Sequence, residues 1–330
     1  MLRPPKISAI LILFTLLPKW AGAAPLDTPE VQAFITDMVS QHGFDAVLLR
    51  NTLSAAEFRP GILDLMARPG ESKPWPSYLA LFLKPEVVEA GVRFWNEHAA
   101  VLRRARRQFG VPEEIVVAIL GVETRYGANA GRTPILDALF TLAFNYPRRA
   151  DFFKSELEQF LLLGREEGLE VKSLRGSYAG AIGLPQFMPS SYRRYAIDFN
   201  GDGRRDLISS KEDVVGSVAL YLKAHGWRAD TPVAIRALGD ELRMSEVIAT
   251  GAKPQLTIKQ FNAMGILGES TLADEEIAQL IMLSLPQGKE YWLALDNFRA
   301  LLKYNQSTFY AMAVYQLSEA LRRARYSNSH

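Results

Sequence analysis

The sequence contains no cysteine, and its 330 residues include only four histidines, His42, His98, His225 and His330. Without cysteine the chain can form no disulfide bond, no thiolate nucleophile and no cysteine-ligated zinc site. A Ser-His-Asp triad would have to use one of the four histidines, and none of them stands beside a nucleophile-elbow motif. The chemistry of this chain must therefore come from carboxylates, hydroxyls and amides.

The chain also lacks a strong charge of either sign, since its formal net charge is +2. This mild excess suits a polyanionic partner but does not select one. The basic cluster at residues 103–107 has no interleaved aromatic residues, which favours a solvated helix face over a nucleic-acid site. A content of 48% hydrophobic and 22% charged residues excludes wholesale disorder and suffices for more than one domain.

Long apolar runs are missing too, because no segment reaches the 18 consecutive apolar residues that a membrane-spanning helix requires. Residues 1–23 instead show the pattern of an export signal. Arg3 and Lys6 precede a short apolar run at 7–17, and small residues at 21–23 provide a cleavage site. A buried N-terminal helix is the alternative. We expect a soluble exported protein without a lipid anchor, since that anchor would need a cysteine.

Helical periodicity dominates the remaining chain, and several of the periodic segments open with proline, which the first turn of a helix tolerates. We predict helices at residues 29–49, 85–109, 112–126, 151–167, 213–225 and 307–323. Residues 70–76 predict a loop. Residues 231–290 contain short apolar runs, such as 256–258, and predict a small mixed insertion.

One carboxylic acid stands out in the predicted helix that begins at Pro112. At about 100° per residue, Glu123 projects between Val116 and Ile119, in the middle of the apolar stripe. Ionisation is costly in such surroundings, so we expect the pKa of Glu123 to be raised. A raised pKa is the property that a general acid needs near neutral pH.

The alternative for Glu123 is a structural acid that is paired with a cation. Arg125 is close in sequence, but residues two apart do not face each other on a helix. Glu113 and Glu114 fall at the beginning of the same helix, where we expect them to be ordinary surface acids.

Residues 176–192 are dense in glycine, hydroxyl side chains and aromatic rings, and include one amide, Gln186. Glycine lets the backbone approach a ligand closely. Hydroxyls and an amide supply directional hydrogen bonds for a sugar, and aromatic faces pack on sugar rings. A structural glycine-rich turn is the alternative, but it does not explain a polar residue between Pro185 and Phe187.

Four motifs, which occur in order between residues 34 and 321, resemble those of the membrane-bound lytic murein transglycosylase B family. They are residues 121–127, 144–149, 176–192 and 304–308. The resemblance implies a mainly α fold, with a goose-lysozyme-like helical core, an additional N-terminal helical domain and a small mixed α/β insertion. It also implies cleavage of the β-1,4 bond between N-acetylmuramic acid and N-acetylglucosamine in peptidoglycan, without water, leaving a 1,6-anhydromuramoyl end.

The resemblance also implies roles for individual residues. Glu123 corresponds to the acid that later acts as base. Ser177 and Gln186 match residues that hold N-acetyl groups and sugar hydroxyls, and Asn305 matches a polar residue beside the acid. Ring-stacking and hydrogen-bonding positions are matched by Tyr78, Phe187, Tyr221, Tyr304 and Tyr310.

These motifs contain no second acid, although a typical glycosidase uses two carboxylates. The acetamido oxygen of the substrate can replace the missing nucleophile, which is a known exception to that rule. Ionised Glu123 would then take the proton from the muramoyl O6. Two other functions stay open, a lysozyme-type hydrolase of the same bond and a non-catalytic protein that binds the cell wall.

Residues 198–206 match the first part of an EF-hand loop, with oxygen donors at alternating positions and glycine at the sixth. The twelfth position is Ser209 instead of glutamate, so the closing ligand would come from a longer loop, which the family carries. A structural Ca²⁺ and no organic cofactor are therefore expected. The alternative is a turn without metal, since the positive charge of Arg205 lies close by. The expected ligands are Asp198, Asn200, Asp202, the Arg204 carbonyl, Asp206 and Asp213.

Together these observations predict a periplasmic, monomeric enzyme whose partner is the peptidoglycan glycan strand. We expect no nucleic-acid partner and consider cell-wall synthesis or remodelling proteins as candidate partners. The predicted division is a signal peptide at 1–23, an N-terminal helical domain at 24–110, a lysozyme-like catalytic core at 111–230, a mixed insertion at 231–290 and a returning helical part at 291–330.

Overall fold

The computed structural model describes residues 25–67, 73–249 and 255–327. The predicted signal peptide, together with part of the loop predicted at 70–76, lies outside these residues. Within the described ranges, no helix combines the length and apolar character that crossing a membrane requires.

The N-terminal part of the chain is helical, and prolines open several of its helices. The two longest helices predicted here are wrong, because each is divided in two. The first divides at Gly43, which adopts a left-handed φ of 63° and closes the helix, and Asp45 then caps the next one by accepting the Val47 N–H at 2.9 Å. The second divides at His98. The helices are α1 Pro29–His42, α2 Ala46–Leu53, α3 Pro60–Met66, α4 Trp75–Leu79, α5 Pro85–Glu97 and α6 Ala99–Phe109.

The middle of the chain combines further helices with one short pair of strands. These elements are α7 Glu113–Thr124, β1 Thr133–Pro134, α8 Ile135–Asn145, a 3₁₀ turn at Pro147–Arg149, α9 Ala150–Glu167, β2 Arg175–Gly176, α10 Pro189–Tyr195 and α11 Lys211–Ala224. The strands β1 and β2 pair antiparallel and bring the segment before α8 against the start of the glycine-rich loop.

The predicted mixed insertion is confirmed as an antiparallel sheet of order β4-β6-β7-β3-β5 with two helices. It has its own small hydrophobic core, which includes Phe261, Leu280 and Leu293. Its last strand continues to residue 294, four residues beyond the predicted border at 290. The elements are β3 Ala234–Leu238, α12 Glu241–Ala249, β4 Gln255–Thr257, α13 Ile258–Ala263, β5 Leu267–Gly268, β6 Ile277–Ser284 and β7 Lys289–Ala294.

Two helices, α14 Asp296–Tyr304 and α15 Thr308–Ser327, return from the insertion to the main body. There they join the N-terminal helices and the middle of the chain in one continuous hydrophobic core. The fold is therefore mainly α with a small sheet, as predicted. A separate N-terminal domain stays a prediction, because its helices share this core.

Helix α7 lies at the centre of that core and contacts α5, α6, α11 and α15. Its residues from Ile115 to Gly121 are all buried, so the helix is enclosed on every side instead of presenting a single apolar stripe. A helix that is apolar all round is typical of the interior of a large domain.

Glu113, at the start of α7, is not the surface acid that we expected. Its side chain is buried and accepts a hydrogen bond of 2.6 Å from the indole N–H of Trp95, which is also buried. The Arg325 guanidinium lies 3.6 Å from the same carboxylate oxygen. The tertiary fold brings these partners from α5 and α15, which the helix sequence alone does not reveal.

Replacing Glu113 by Ala should therefore destabilise the protein, because it leaves the Trp95 N–H buried without an acceptor. The expected loss is about 1–3 kcal/mol in the free energy of unfolding. The matched control is Glu114→Ala one residue along, which should stay within about 0.5 kcal/mol of wild type. Urea denaturation measures both, and equal effects of the two substitutions would contradict this role of Glu113.

Candidate active site

Glu123 lies in the last turn of α7, one residue before the helix ends. The chain turns sharply after it, because Arg125 and Tyr126 both adopt left-handed conformations, with φ of 50° and 61°. The hydroxyl of Thr124 donates to the carbonyl of Leu184 at 3.0 Å. This bond fastens the end of α7 to the glycine-rich loop.

The Tyr310 hydroxyl, from α15, donates a hydrogen bond of 2.6 Å to Oε1 of Glu123. The ring of Tyr304 stacks beside Tyr310, with centroids 6.2 Å apart and planes 16° apart. The hydroxyl of Tyr304 donates to the carbonyl of Pro185 at 2.6 Å, next to Gln186 in the glycine-rich loop. The C-terminal helices thus join the acid to the loop that the sequence predicts as its partner.

Burial raises the pKa of Glu123 from 4.5 to about 7, and the hydrogen bond from Tyr310 offsets part of that rise. Within the part of the chain that the structure describes, neither a cation nor a second carboxylate acts on this pKa. Burial also raises the pKa values of Tyr304 and Tyr310 well above 10.0, so both hydroxyls keep their protons. Near neutral pH the Glu123 carboxyl can therefore both donate and accept a proton.

Two polar residues of the glycine-rich loop retain hydrogen-bonding capacity. Ser177 Oγ accepts the N–H groups of Ala179 and Ala181, at 3.2 and 2.9 Å, so its own proton is available for a ligand. Gln186 has a left-handed φ of 51° and donates its amide to the carbonyls of Ala130 and Gly183, at 3.1 and 2.8 Å. The carbonyl of that side chain has no partner among the described residues and can accept from a sugar.

The predicted aromatic positions divide into a buried and a more accessible group. Phe187 is only 2% exposed and lies between Tyr221 and Tyr304, with ring centroids 5.3 and 5.7 Å away. Its burial argues against direct stacking on a sugar and for support of Tyr304. Tyr221 is also mostly buried, and its hydroxyl donates to the carbonyl of Lys303 at 2.6 Å.

The other two predicted residues lie at the rim of the site. Tyr78 on α4 is half-buried, packs against Phe309 with centroids 5.7 Å apart, and is close enough to influence the pKa of Tyr310. Asn305 is exposed directly after α14. Its predicted position beside the acid stays a prediction, because no hydrogen bond joins its side chain to Glu123 among the described residues.

Two supporting residues were not identified from the sequence. Thr124 stands inside the motif that contains Glu123, so its position beside the acid was the available signal. Glu156 is buried in α9 and accepts both the N–H and the hydroxyl of Ser190, at 2.9 and 2.6 Å. These bonds fix the start of α10 after the glycine-rich loop. No sequence pattern indicated that pairing.

The EF-hand-like loop folds around hydrogen bonds from its own backbone. Asp198 accepts the N–H groups of residues 201, 202 and 203, at 2.7, 3.1 and 2.8 Å. Asp213 is fully buried and accepts the N–H groups of Phe199, Asn200 and Asp206, at 2.7, 3.2 and 2.9 Å. Asp213, which we expected to close the loop as a metal ligand, therefore holds the beginning and the end of the loop together by hydrogen bonds.

The oxygen donors of this loop have the chemistry that calcium prefers. The basic neighbour Arg205 is turned away, since its guanidinium pairs with Glu167 on α9. Among the described residues, however, no three acids, histidines or cysteines are already grouped as a metal site. The donor set thus fits a calcium ion by its chemistry, while its carboxylates are engaged by backbone N–H groups.

Comparison with known proteins gives consistent similarities over nearly the whole chain. Residues 27–319 match the model of a family described as "Transglycosylase SLT domain". The chain is 44% identical over 309 residues to the membrane-bound lytic murein transglycosylase B of Escherichia coli K12. The match covers 91% of this chain and 84% of that protein.

Solved structures of similar fold include soluble lytic transglycosylase SltB1 from Pseudomonas aeruginosa, with a TM-score of 0.85, 43% identity and coverage of 90% of this chain and 100% of that one. The E. coli lytic transglycosylase Slt35 in complex with calcium has a TM-score of 0.84 and 44% identity, covering 93% and 97%. SltB3 from P. aeruginosa, in complex with NAG-anhNAM-pentapeptide, has a TM-score of 0.78 and 31% identity, covering 88% and 78%.

The burial of Glu123 should make the stability of the protein depend on pH. Below pH 4.5 the acid is protonated in both the folded and the unfolded chain, and burial costs nothing extra. Between pH 4.5 and about 7 only the unfolded chain ionises, so stability falls as the pH rises. Above pH 7 the folded state carries the full cost of a buried charge.

The side chain of a Glu123→Gln variant cannot ionise. Its free energy of unfolding, relative to that of wild type, should therefore increase by about 3 kcal/mol between pH 4.5 and about 7. Urea unfolding from below pH 4.5 to above pH 7 measures the difference. Glu114→Gln is the control on the same helix and should follow wild type throughout. A stability difference for Glu123→Gln that does not vary with pH would contradict the raised pKa.

Proposed function

The chain belongs to the transglycosylase SLT domain family, and on that basis we propose that it is a lytic transglycosylase of peptidoglycan. It cleaves the β-1,4 bond between N-acetylmuramic acid and N-acetylglucosamine and leaves a 1,6-anhydromuramoyl end. The observation that carries the proposal is the single acid Glu123, whose pKa of about 7 lets one group serve as acid and then as base. The anhydro sugar bound to the relative SltB3 is the corresponding product.

In the first step, protonated Glu123 donates its proton to the oxygen of the scissile glycosidic bond. The bond between that oxygen and the anomeric carbon breaks, and the N-acetylglucosamine side leaves with a hydroxyl. The acetamido oxygen of the muramoyl residue attacks the anomeric carbon from the opposite face and takes up the positive charge. The Tyr310 hydroxyl at 2.6 Å stabilises the carboxylate that is left behind.

In the second step, the Glu123 carboxylate removes the proton from O6 of the same muramoyl residue. O6 then bonds to the anomeric carbon, and the acetamido oxygen is released. Glu123 ends protonated, as it began, and no water is consumed. Proton transfer of this kind typically contributes about 10²–10⁴-fold to the rate.

A lysozyme-type hydrolase is less consistent with this site. Most hydrolases of this bond use a second carboxylate as nucleophile or base. Within the described residues no second carboxylate acts on Glu123. A non-catalytic wall-binding protein would have no need for a buried acid with a raised pKa, since an unpaired buried carboxyl costs stability.

Substrate binding is assigned to the polar and aromatic residues around Glu123. The free hydroxyl proton of Ser177 and the free side-chain carbonyl of Gln186 hold N-acetyl groups and sugar hydroxyls. Tyr78 and Tyr304 offer ring faces to the sugars, while Phe187 and Tyr221 support Tyr304 from behind. Asn305, exposed directly after α14, is proposed as the polar residue beside the acid.

A bound calcium ion would be held by Asp198, Asn200, Asp202, the Arg204 carbonyl, Asp206 and Asp213. It would stabilise the loop between α10 and α11 and take no part in proton transfer. The calcium complex of the relative Slt35 supports this proposal. A carboxylate has about four lone-pair sites, so these side chains can bind the ion while they still accept backbone N–H groups.

We also place the protein in the periplasm, where its substrate is. The signal-like pattern at residues 1–23 supports export. The E. coli relative is named membrane-bound, whereas this chain has no cysteine to carry a lipid.

Glu123→Gln should lower the rate of anhydro-product formation on purified sacculi by at least about 10²-fold, because the amide can neither donate nor accept the proton. Mass spectrometry of the released fragments measures this, since anhydro products are lighter than hydrolysis products by one water. Glu114→Gln is the matched control and should retain full activity. Products of wild type that carry a reducing end would show hydrolysis and contradict the proposal.

Added Ca²⁺ should raise the melting temperature of wild type, because a ligand that binds only the folded state stabilises it. At a Ca²⁺ concentration a hundredfold above Kd, the gain in the free energy of unfolding is about 2.7 kcal/mol. Asp202→Asn should abolish this gain, because it removes a charged ligand while its remaining side-chain oxygen still accepts the Arg204 N–H. Asp64→Asn, exposed on α3, is the control. An equal calcium response in Asp202→Asn and wild type would argue against the loop as the site.

A further inference from the structure

A cleft of about 560 Å³ lies between α3 and the β1–β2 strand pair. Glu123 is not among the residues that line it. Apolar side chains form much of its wall, and they are Phe58, Pro60, Ile62, Leu65 and Pro134. The polar part consists of Glu57, Arg59, Arg132, Arg175 and Tyr178. Three arginines against one glutamate make the cleft positive.

The three arginines differ in how their charges are neutralised. Arg59 pairs with Asp137 at 2.6 Å and with Glu57 at 2.9 Å, so its charge is fully balanced. Arg132 and Arg175 are exposed and have no acidic partner among the described residues. Arg175 instead donates to the backbone carbonyl of Arg132 at 2.9 Å. Two guanidinium groups that line one cleft without an acidic partner among the described residues are suited to binding an anion, because they present charged donors in a planar fork.

This pair of arginines is built into the same backbone as the sugar-binding loop. The strand register places Thr133 opposite Gly176, so Arg132 and Ser177 are the chain neighbours of this last pair. Gly131 packs so closely on the backbone of residues 176 and 177 that no side chain fits there. The arginines therefore lie immediately beside the residue that we assign to the N-acetyl group.

The same segment also carries the other polar contact of the loop. Ala130, whose carbonyl accepts the Gln186 amide, precedes Arg132 by two residues. Two residues of extended chain span at most about 7 Å. A group attached to a sugar at Ser177 or Gln186 can therefore reach the cleft directly.

We propose that this cleft binds the acidic peptide stem that branches from the N-acetylmuramic acid residue. The inference rests on the proposed function, since it names the part of the peptidoglycan substrate that lies beside the glycan. Arg132 and Arg175 receive the carboxylates of the stem, and the apolar wall receives its aliphatic side chains. The exposed ring of Tyr178, which follows Ser177, separates the sugar from the peptide.

The test compares glycan fragments that carry peptide stems with the same fragments after removal of the stems by an amidase. Binding is measured by titration calorimetry in the Glu123→Gln background, which prevents turnover. We expect the double substitution Arg132→Gln and Arg175→Gln to weaken binding of stem-bearing fragments by about tenfold, since two charge-assisted hydrogen-bonding groups are lost. Binding of stem-free fragments should change by less than about twofold.

The matched control is the double substitution Arg103→Gln and Arg243→Gln, which removes the same charge from two exposed arginines elsewhere. It should leave both affinities unchanged. Rising salt should reduce the advantage of stem-bearing fragments in the parent protein and have no such effect in the Arg132 and Arg175 variant.

Two results would overturn the proposal. One is an equal loss of affinity for both kinds of fragment, which would make the arginines general glycan contacts. The other is no loss for either kind. Both are distinct from failure of the proposed function, which would appear as wild-type protein that forms no anhydro products from sacculi.

Discussion

A carboxyl group with little access to water, in the last turn of a buried helix, is the constraint around which the site is arranged. Glu123 follows the fully buried stretch of α7 and is half-buried in the last turn of that helix, so its acid loses much of its contact with water. Such a group is expensive to ionise, and the protein neither pairs it with a cation nor couples it to a second acid within the described residues. Its one strong partner is the neutral hydroxyl of Tyr310. The raised pKa is thus the result of enclosure, and the folded protein bears its cost in stability.

Three hydrogen bonds between distant parts of the chain hold this arrangement together. Tyr310 reaches Glu123, Tyr304 reaches the carbonyl of Pro185, and Thr124 reaches the carbonyl of Leu184. They connect α7, the glycine-rich loop and the two C-terminal helices. The mixed insertion, with its separate core, stands between the loop and those helices in sequence. Its sheet also contributes Ile281, Leu283 and Trp292 to the main core, so the insertion is anchored to the body that holds the acid.

Backbone strain is concentrated at the end of α7 and in the glycine-rich loop. Arg125, Tyr126 and Gln186 are all non-glycine residues in left-handed conformations. Tyr126 also buries a hydroxyl that has no hydrogen-bond partner among the described residues. Such conformations cost about 1–3 kcal/mol each and persist only where the surrounding structure enforces them. Here they terminate α7 directly after the acid and direct Gln186 toward Ala130, which is consistent with a site selected for geometry at the expense of stability.

The sequence by itself determined the mainly helical fold and the mixed insertion, and it singled out Glu123 as an acid among apolar neighbours on its helix. These features are visible in short segments of the sequence, as helical periodicity, as prolines that open helices and as a polar residue among apolar ones. They do not depend on which other segments pack against the helix. It did not locate the breaks at Gly43 and His98, because a glycine or histidine inside an apolar period is compatible with a continuous helix. It also assigned Glu113 to the surface, because the partner that buries it comes from α5.

Only the tertiary structure decided which residues surround the acid and which of them can meet a sugar. Phe187 and Tyr221 have the residue types of a binding surface, but packing places them behind Tyr304. The cleft with Arg132 and Arg175 arises from the pairing of two short strands that lie more than forty residues apart in sequence. Burial, register and long-range hydrogen bonds depend on where separate segments meet, and a linear pattern of residue types does not contain that information.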